Sequence, residues 1–317
     1  MVARKQSTVL VTGAAGFIGS HLVDALLASR YKVVGLDNLS AGSRGNLKDA
    51  SGQDAFTLVT ADIRDSKAVE EACRHVDTVY HLAAVTSVAE SVRDPRKYHE
   101  NNVTGTLNVA LGAVAAGVHR LVFTSTAAVY GKAETVPTPE TVPANPLSPY
   151  GASKLAGEAL CQTIAMANGM EARVLRLFNA YGPRQPVEGP QAGVVSRFTH
   201  HICAGQPLTI FGDGNQTRDF IYVEDAVEAI IRAGTLTTIP PAPINVATGH
   251  GISIKSLAAE IQRHCYPSGI KITFEPTRPG DIRYSVAAVD RLEKRLGFKA
   301  RYDLAAGIQR ICSKTPA

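Results

Sequence analysis

Tyr150 and Lys154 stand four residues apart in Ser148-Pro149-Tyr150-Gly151-Ala152-Ser153-Lys154. A residue able to cap a helix, followed by proline at the first helical position, predicts that this segment is helical. Four residues make about one helical turn, so the phenol and the ammonium project from one face. A cation beside a phenol favours phenolate and lowers a pKa that starts near ~10, which is what makes a tyrosine usable as a base near neutrality. Tyr-x-x-x-Lys spacing also arises by chance. Here it occurs once, and it follows an apolar run that ends in the hydroxyl-rich stretch Thr124-Ser125-Thr126.

A second constellation lies near the N-terminus, where Thr12-Gly13-Ala14-Ala15-Gly16-Phe17-Ile18-Gly19 joins an apolar run to a helical pattern. The backbone must turn tightly, approach a pyrophosphate closely and let the helix pack on a sheet. Each demand removes a Cβ, and the helix N-terminus then faces the phosphates. Gly13, Gly16, Phe17, Ile18 and Gly19 are therefore candidate dinucleotide contacts. Asp37 closes the second apolar run, where a carboxylate reaches the adenosine ribose hydroxyls and repels a 2′-phosphate, so NAD is expected rather than NADP. Asn38, Ser40 and Gly42 follow in the adjoining loop, with Arg44 read as a solvated side chain. Asp62 and Ile63 after the third run, and Leu82, Ala83 and Ala84 after the fourth, lie at the carboxyl ends of parallel strands, where such sheets hold ligands. Core packing is the alternative reading of the last three.

The elements that must position these groups are legible as alternation. Short Val-, Leu- and Ile-rich runs at 8–11, 32–36, 56–59, 78–82, 121–124 and 173–178 are separated by helical patterns at 17–28, 66–73, 95–116 and 149–167. This is βαβ grammar, which predicts a doubly wound parallel-sheet Rossmann domain of α/β class. After Asn179 the pattern changes, and a smaller mixed α/β C-terminal domain is expected. The expected domains are 1–179 for the cofactor and 180–317 for the substrate, with segments near 223–232 and 244–247 packing back on the first. The proline-rich stretch 136–149 reads as an ordered active-site loop.

The chain has 317 residues, 19% of them charged, and a net charge of +5. Its densest basic stretches, 93–97 and 291–301, are broken by acids and proline, so they read as solvated faces and no nucleic-acid partner is expected. No apolar run approaches the ~18 residues of a membrane span. The five cysteines (Cys73, Cys161, Cys203, Cys265 and Cys312) are odd in number and far apart, without C-x-x-C spacing. Neither a disulfide framework nor a metal site is expected, and a reducing, cytoplasmic location fits.

Taken together, the Thr-Gly-x-x-Gly-x-x-Gly start, the strand end from Thr124 to Gly131, Tyr150-x-x-x-Lys154 and Leu175-Arg176-Leu177-Phe178-Asn179-Ala180-Tyr181-Gly182-Pro183-Arg184 resemble the extended short-chain dehydrogenase/reductases. The likeness is to the NAD-dependent epimerase/dehydratases of nucleotide sugars, UDP-sugar 4-epimerases in particular, and runs from Thr8 to Phe298. It implies bound NAD, Tyr150 as base, Lys154 on the nicotinamide ribose tuning Tyr150, and Thr126 on the sugar O4 where many members have Ser. Thr124 and Thr86 fall near the cofactor, although some galactose epimerases carry Lys at the latter place. Asn179, Arg218 and Arg278 resemble contacts to the UDP diphosphate, and Ser87 and Gly193 resemble positions touching the hexose. A homodimer joined through the helices at 95–116 and 149–167 is also implied.

The same resemblance bears on the reaction. Related dehydratases carry Asp and Glu where this chain has Ala127 and Ala128, and decarboxylases usually carry Glu there. Without those carboxyl groups a 4-keto intermediate is expected to be reduced again, which implies a UDP-hexose 4-epimerase. Members specific for galactose have a bulky Tyr four residues after the Asp of the segment Arg278-Pro279-Gly280-Asp281, where this chain has Ser285. A pocket admitting N-acetylhexosamines (UDP-GlcNAc/UDP-GalNAc) as well as UDP-Glc/UDP-Gal is therefore expected. The alternatives are a UDP-glucuronate 4-epimerase or decarboxylase and an NDP-sugar 4,6-dehydratase.

Overall fold

Strands hydrophobic on both faces must be covered on both faces, and the first apolar run, β1 (Thr8–Thr12), is buried from Val9 onward. The computed structural model describes residues 7–237, 241–265, 269–277 and 281–313. After β1 come α1 (Phe17–Ala28), β2 (Lys32–Asp37), β3 (Phe56–Thr60), α2 (Ser66–Ala72), β4 (Thr78–His81), α3 (Val88–Arg93), α4 (Pro95–His99), α5 (Gly105–Ala115), β5 (Arg120–Thr126), α6 (Pro149–Ala167) and β6 (Glu171–Leu177). The chain continues with β7 (Asn179–Tyr181), α7 (Val194–Cys203), β8 (Leu208–Phe211), β9 (Thr217–Tyr222), α8 (Val223–Thr235), β10 (Ile244–Val246), β11 (Gly251–Ser253), α9 (Ile254–Cys265), β12 (Ile272–Glu275), β13 (Tyr284–Ser285), α10 (Asp290–Leu296) and α11 (Leu304–Cys312).

A seven-stranded sheet has the order β10-β6-β5-β4-β1-β2-β3. Its pairs β1 with β2, β1 with β4, β2 with β3 and β4 with β5 are parallel. The expected doubly wound Rossmann architecture is what forms, and the order reverses beside β1, where such sheets open a ligand crevice. Leu10, Leu36, Val79, Leu121 and Phe123 from the sheet share a core cluster with Val69, Val109, Ala113 and Cys161 from the helices. Close helix approach depends on two glycines. A Cβ on Gly105 would lie 2.5 Å from Ile63 Cδ1, and one on Gly157 would lie 2.7 Å from Phe123 Cζ.

The described residues of Met1–Thr126, Pro149–Arg176 and Val227–Ile244 make one compact unit, and those of Ala127–Ser148, Leu177–Ala226 and Asn245–Ala317 make the other. In the second unit β9 is flanked by β11 and β13 and also pairs with β7, while β8 pairs with β12. Among the described residues no helix is long and apolar enough to cross a membrane, and no His, Cys, Asp and Glu cluster could hold a metal ion.

The structure refines one expectation here and corrects another. The helix expected over 95–116 forms over 95–115 but carries a π turn at Glu100–Thr104, which places Asn102 for the side-chain bonds described below. A disulfide joins Cys265 to Cys312 across 47 residues, against the reading that the cysteines form none. Packing of α9 against α11 brings the two Cα atoms to 5.7 Å, a proximity that spacing along the chain does not reveal. Cys73, Cys161 and Cys203 are free thiols.

Candidate active site

The glycine loop is built by steric exclusion. Gly13 has φ +71°, and a Cβ there would lie 2.8 Å from Ala83 N; one on Gly19 would lie 2.0 Å from Gly13 O. Gly16 caps α1 without any side-chain hydrogen bond, so the first-turn N–H groups of Phe17, Ile18 and Gly19 have no acceptor within the helix. Asp37 is buried at the end of β2, accepting from Ala15 N at 2.9 Å and from Leu39 N at 2.7 Å. One further acceptor position remains on each carboxylate oxygen. The following loop closes on the glycines: Ser43 N and Asn46 Nδ2 both donate to Ala15 O, and a Cβ on Gly42 would lie 2.5 Å from Ala15 C. Bare helix N–H donors, a backbone with no room for side chains and a buried carboxylate at the second strand fit a dinucleotide.

Other expected cofactor residues have local partners. Asn38 Nδ2 donates to Asp62 at 2.7 Å, and Ser40 N donates to Asn38 Oδ1. Hydrogen bonds from Arg64 hold the Asp62 carboxyl down at about 2. The Ile63 side chain is buried against Gly105 of α5. Leu82 N and Ala83 N donate to Thr12 Oγ1, each at 3.2 Å, Ala84 is half-buried and Thr86 is exposed. Thr124 Oγ1 is committed to His81 O at 3.1 Å, and Arg44 donates to Thr60 at 3.0 Å.

Tyr150 and Lys154 project from the first two turns of α6, both buried, and Thr126 is the last residue of β5. The Thr126 hydroxyl hydrogen-bonds the Tyr150 phenol. Lys154 Nζ lies 4.1 Å from the centre of the Phe123 ring, a cation–π contact, and the Tyr98 ring meets Tyr150 edge-on at 6.3 Å. Two pKa directions follow. Burial raises Tyr150 above its ordinary 10, with the Thr126 hydrogen bond opposing. Burial also lowers Lys154 to about 8. The spacing leads one to expect a phenol below 10; in the structure Tyr150 stands above it, because removal from water disfavours phenolate and ammonium alike.

Several residues that support this site were not anticipated. Asn102 in the π turn bonds Val85 N and O, each at 2.9 Å, and donates to Ser153 Oγ at 3.0 Å, the residue before Lys154. Buried His81 bonds Thr12 through Nδ1 at 2.7 Å and Thr106 through Nε2 at 2.9 Å. Burial first, and the Lys154 charge second, lower it to about 3, so the ring is neutral. Thr12 Oγ1 already accepts from two N–H groups, which directs its proton to Nδ1 and leaves Nε2 the donor. Glu158, one turn beyond Lys154, pairs with Arg176. The signals were present, a His at the end of an apolar run and an acid four residues after Lys154, but partner identity was not.

Ser87, also in the first unit, caps α3 by accepting from Glu90 N at 3.2 Å. In the second unit Asn179 Nδ2 donates to Asp219 O at 3.0 Å, and Arg218 forms an ion pair with Asp281. Burial lowers the Arg218 pKa and Asp281 opposes this. Ser285 is half-buried on β13, in register with Arg218 of β9, and Tyr284 is exposed. Gly193 caps α7, where a Cβ would lie 2.5 Å from Gln185 Nε2. Arg278 lies outside the described residues.

Comparison with known proteins accords with this geometry. The chain is 41% identical over 305 residues to a UDP-glucose 4-epimerase of Mycolicibacterium smegmatis, covering 94% of this chain and 95% of that protein. The crystal structure of Thermotoga maritima UDP-glucose 4-epimerase with UDP-glucose superposes with a TM-score of 0.90 at 35% identity, over 96% of this chain and 97% of that one. A UDP-N-acetylglucosamine 4-epimerase from Methanobrevibacter ruminantium M1, in complex with UDP-N-acetylmuramic acid, gives 0.92 at 34% identity, over 98% of each chain. Residues 9–247 match the model of the NAD dependent epimerase/dehydratase family. With an extended short-chain dehydrogenase/reductase fold, a glycine loop that suits NAD and a buried Tyr-Lys pair beside a strand-end threonine, the chain belongs to the NAD dependent epimerase/dehydratase family.

Proposed function

We propose that this enzyme is a UDP-hexose 4-epimerase that accepts N-acetylhexosamines as well as UDP-Glc and UDP-Gal. The observation that carries the reading is the hydrogen-bonded Tyr150 and Thr126 pair on a strand end whose next two residues, Ala127 and Ala128, have no carboxyl group. Such a site can take and return the proton of one hydroxyl, but it has no acid and base of its own to expel water or assist decarboxylation. The glycine loop and Asp37 would hold NAD, which when bound supplies an acceptor for the hydrogen on C4, its later return, and a positive charge.

Tyr150 then takes the O4 proton as base and gives it back as acid. The Thr126 hydroxyl orients O4 and stabilises the phenolate through its hydrogen bond, and Lys154 favours the same phenolate electrostatically. Arg218 and Asn179 are the proposed diphosphate contacts, the former an always-charged donor held in place by Asp281. Incubation with UDP-Glc, UDP-GlcNAc and UDP-GlcA, resolved by NMR, tests the reaction. Epimers of unchanged mass from the first two are expected; loss of water or carbon dioxide would refute epimerisation.

Two substitutions test the assignments around the cofactor and the sugar. Asp37→Asn removes the charge proposed to exclude a 2′-phosphate, so the affinity ratio of NAD to NADP should fall by about tenfold in a calorimetric titration. An unchanged ratio would remove Asp37 from cofactor selection. Ser285→Tyr should abolish turnover of the acetylated sugars while sparing UDP-Glc, and equal loss of both would sink the gate.

A further inference from the structure

Tyr150, Lys154 and Glu158 recur every four residues along α6, so they share one face. The first two have chemical roles; the third is a buried acid that the reaction does not consume. The side chains of Glu158 and Arg176 are 4% and 7% exposed. Arg176 donates through Nε to Oε1 at 2.9 Å and through Nη2 to Oε2 at 2.7 Å, and Ser125 Oγ donates to Oε1 at 2.5 Å. A buried pair of this kind is a poor source of stability, because desolvation of both charges offsets their attraction and apolar replacements of similar volume are often neutral.

The location of the pair suggests a different use. Side chains alternate along a strand, so Phe123 and Ser125 face α6 together. Phe123 lies beneath Lys154 Nζ and fills the space beside Gly157, Ser125 bonds Glu158, and the adjacent Thr126 bonds Tyr150. The helix is thus pinned to β5 at successive levels that run directly into the reacting pair. We propose that Glu158 is a positioning residue for the epimerase reaction: its carboxylate holds the register of α6 on β5 that aims Tyr150 and Thr126 at one oxygen, and it provides the counter-charge for the Lys154 ammonium. This rests on the function proposed above.

The surroundings of Lys154 support the electrostatic half. On its own helix stand Tyr150, Glu158 and Cys161, whose thiol burial pushes up to about 12 and so keeps uncharged. His81 approaches from β4 and is neutral. The β5 neighbours Phe123, Ser125 and Thr126 carry no charge, and Arg176 of β6 is engaged with Glu158. Cys161 first and Glu158 second oppose the effect of burial on Lys154, and of the two Glu158 is the carboxylate, held by Arg176.

The test uses Glu158→Gln/Arg176→Met, which removes both charges and avoids leaving a buried guanidinium unpaired. The NAD-bound protein, labelled with ¹³C at lysine Cε, is titrated by NMR, with Lys154 assigned by its absence from Lys154→Met. The Lys154 midpoint should fall by about half a unit or more. In parallel, kcat for UDP-glucose should fall about tenfold, with KM within about threefold and the alkaline limb of kcat moving down with the midpoint. A Lys154 midpoint that stays in place overturns the proposal, as does a kcat within about twofold of the parent at every pH. If the parent protein titrates as expected but epimerises no UDP-hexose, the proposed function fails while the coupling of Glu158 to Lys154 stands.

Discussion

Tyr150→Phe is expected to lower kcat by about 10³-fold, the range that a positioned acid–base group contributes, while leaving the fold and NAD binding intact. The substitution removes a single oxygen. The ring keeps its edge-on contact with Tyr98 at 6.3 Å, and its polar loss is the hydrogen bond with Thr126. Thr126 ends β5 and is partly exposed, so water can replace the lost partner and stability should change by less than about 1 kcal/mol. The informative comparison is Thr126→Ala, which leaves the base but removes its orienting hydroxyl and should cost less in kcat. Unfolding midpoints, NAD titration and initial rates with UDP-glucose check the set. A Tyr150→Phe enzyme within tenfold of the parent would exclude the phenol as the base.

Lys154→Met separates stability from activity. Burial lowers the Lys154 pKa from 10.5 to about 8, so the folded protein releases this proton more readily than the unfolded chain. Below about pH 8 both states hold the proton and the full cost of burying the ammonium is present. Between about pH 8 and 10.5 the unfolded state binds more protons, so the contribution of this residue to stability improves as pH rises. Methionine fills a similar volume and remains in contact with Phe123, giving up the cation–π attraction. At pH 7 the variant should unfold about 1–3 kcal/mol less readily than the parent, with that gain shrinking toward pH 10. Its kcat should nonetheless fall by about 10²-fold or more, because the charge that favours phenolate is gone. Chemical denaturation at pH 7 and pH 10 beside initial rates tests both halves; a variant less stable than the parent at pH 7 would contradict the burial argument.

Much of the first unit was legible because its rules are local. An apolar run bounded by turn residues is a strand wherever it packs, so α1 and α6 form over the expected residues and β1 to β6 form within a few residues of expectation. Gly13, Gly16 and Gly19 could be read as a close-approach loop because lack of a Cβ is a property of the residue itself. The π turn inside the helix over 95–116 is not legible, because the partners of its Asn102, Val85 and Ser153, lie 17 and 51 residues away. The Cys265 to Cys312 disulfide escaped for the same reason, since packing of α9 on α11 is what brings the thiols together.

The amino-acid sequence by itself determined the family, the βαβ order, the glycine loop with its acid at the end of β2, and the four-residue spacing of Tyr150 and Lys154. All of these are set by residue type and by distances along the chain. Tertiary structure alone decided the electrostatic state of the site. Whether Lys154 draws Tyr150 toward phenolate depends on how much water each has lost, and both lie buried where that loss dominates. It also decided that Glu158, an ordinary helix acid in the sequence, is sealed between Ser125 and Arg176 behind the reacting pair. Solvation and partner choice are set by strands and helices meeting across long separations, and no local spacing records them.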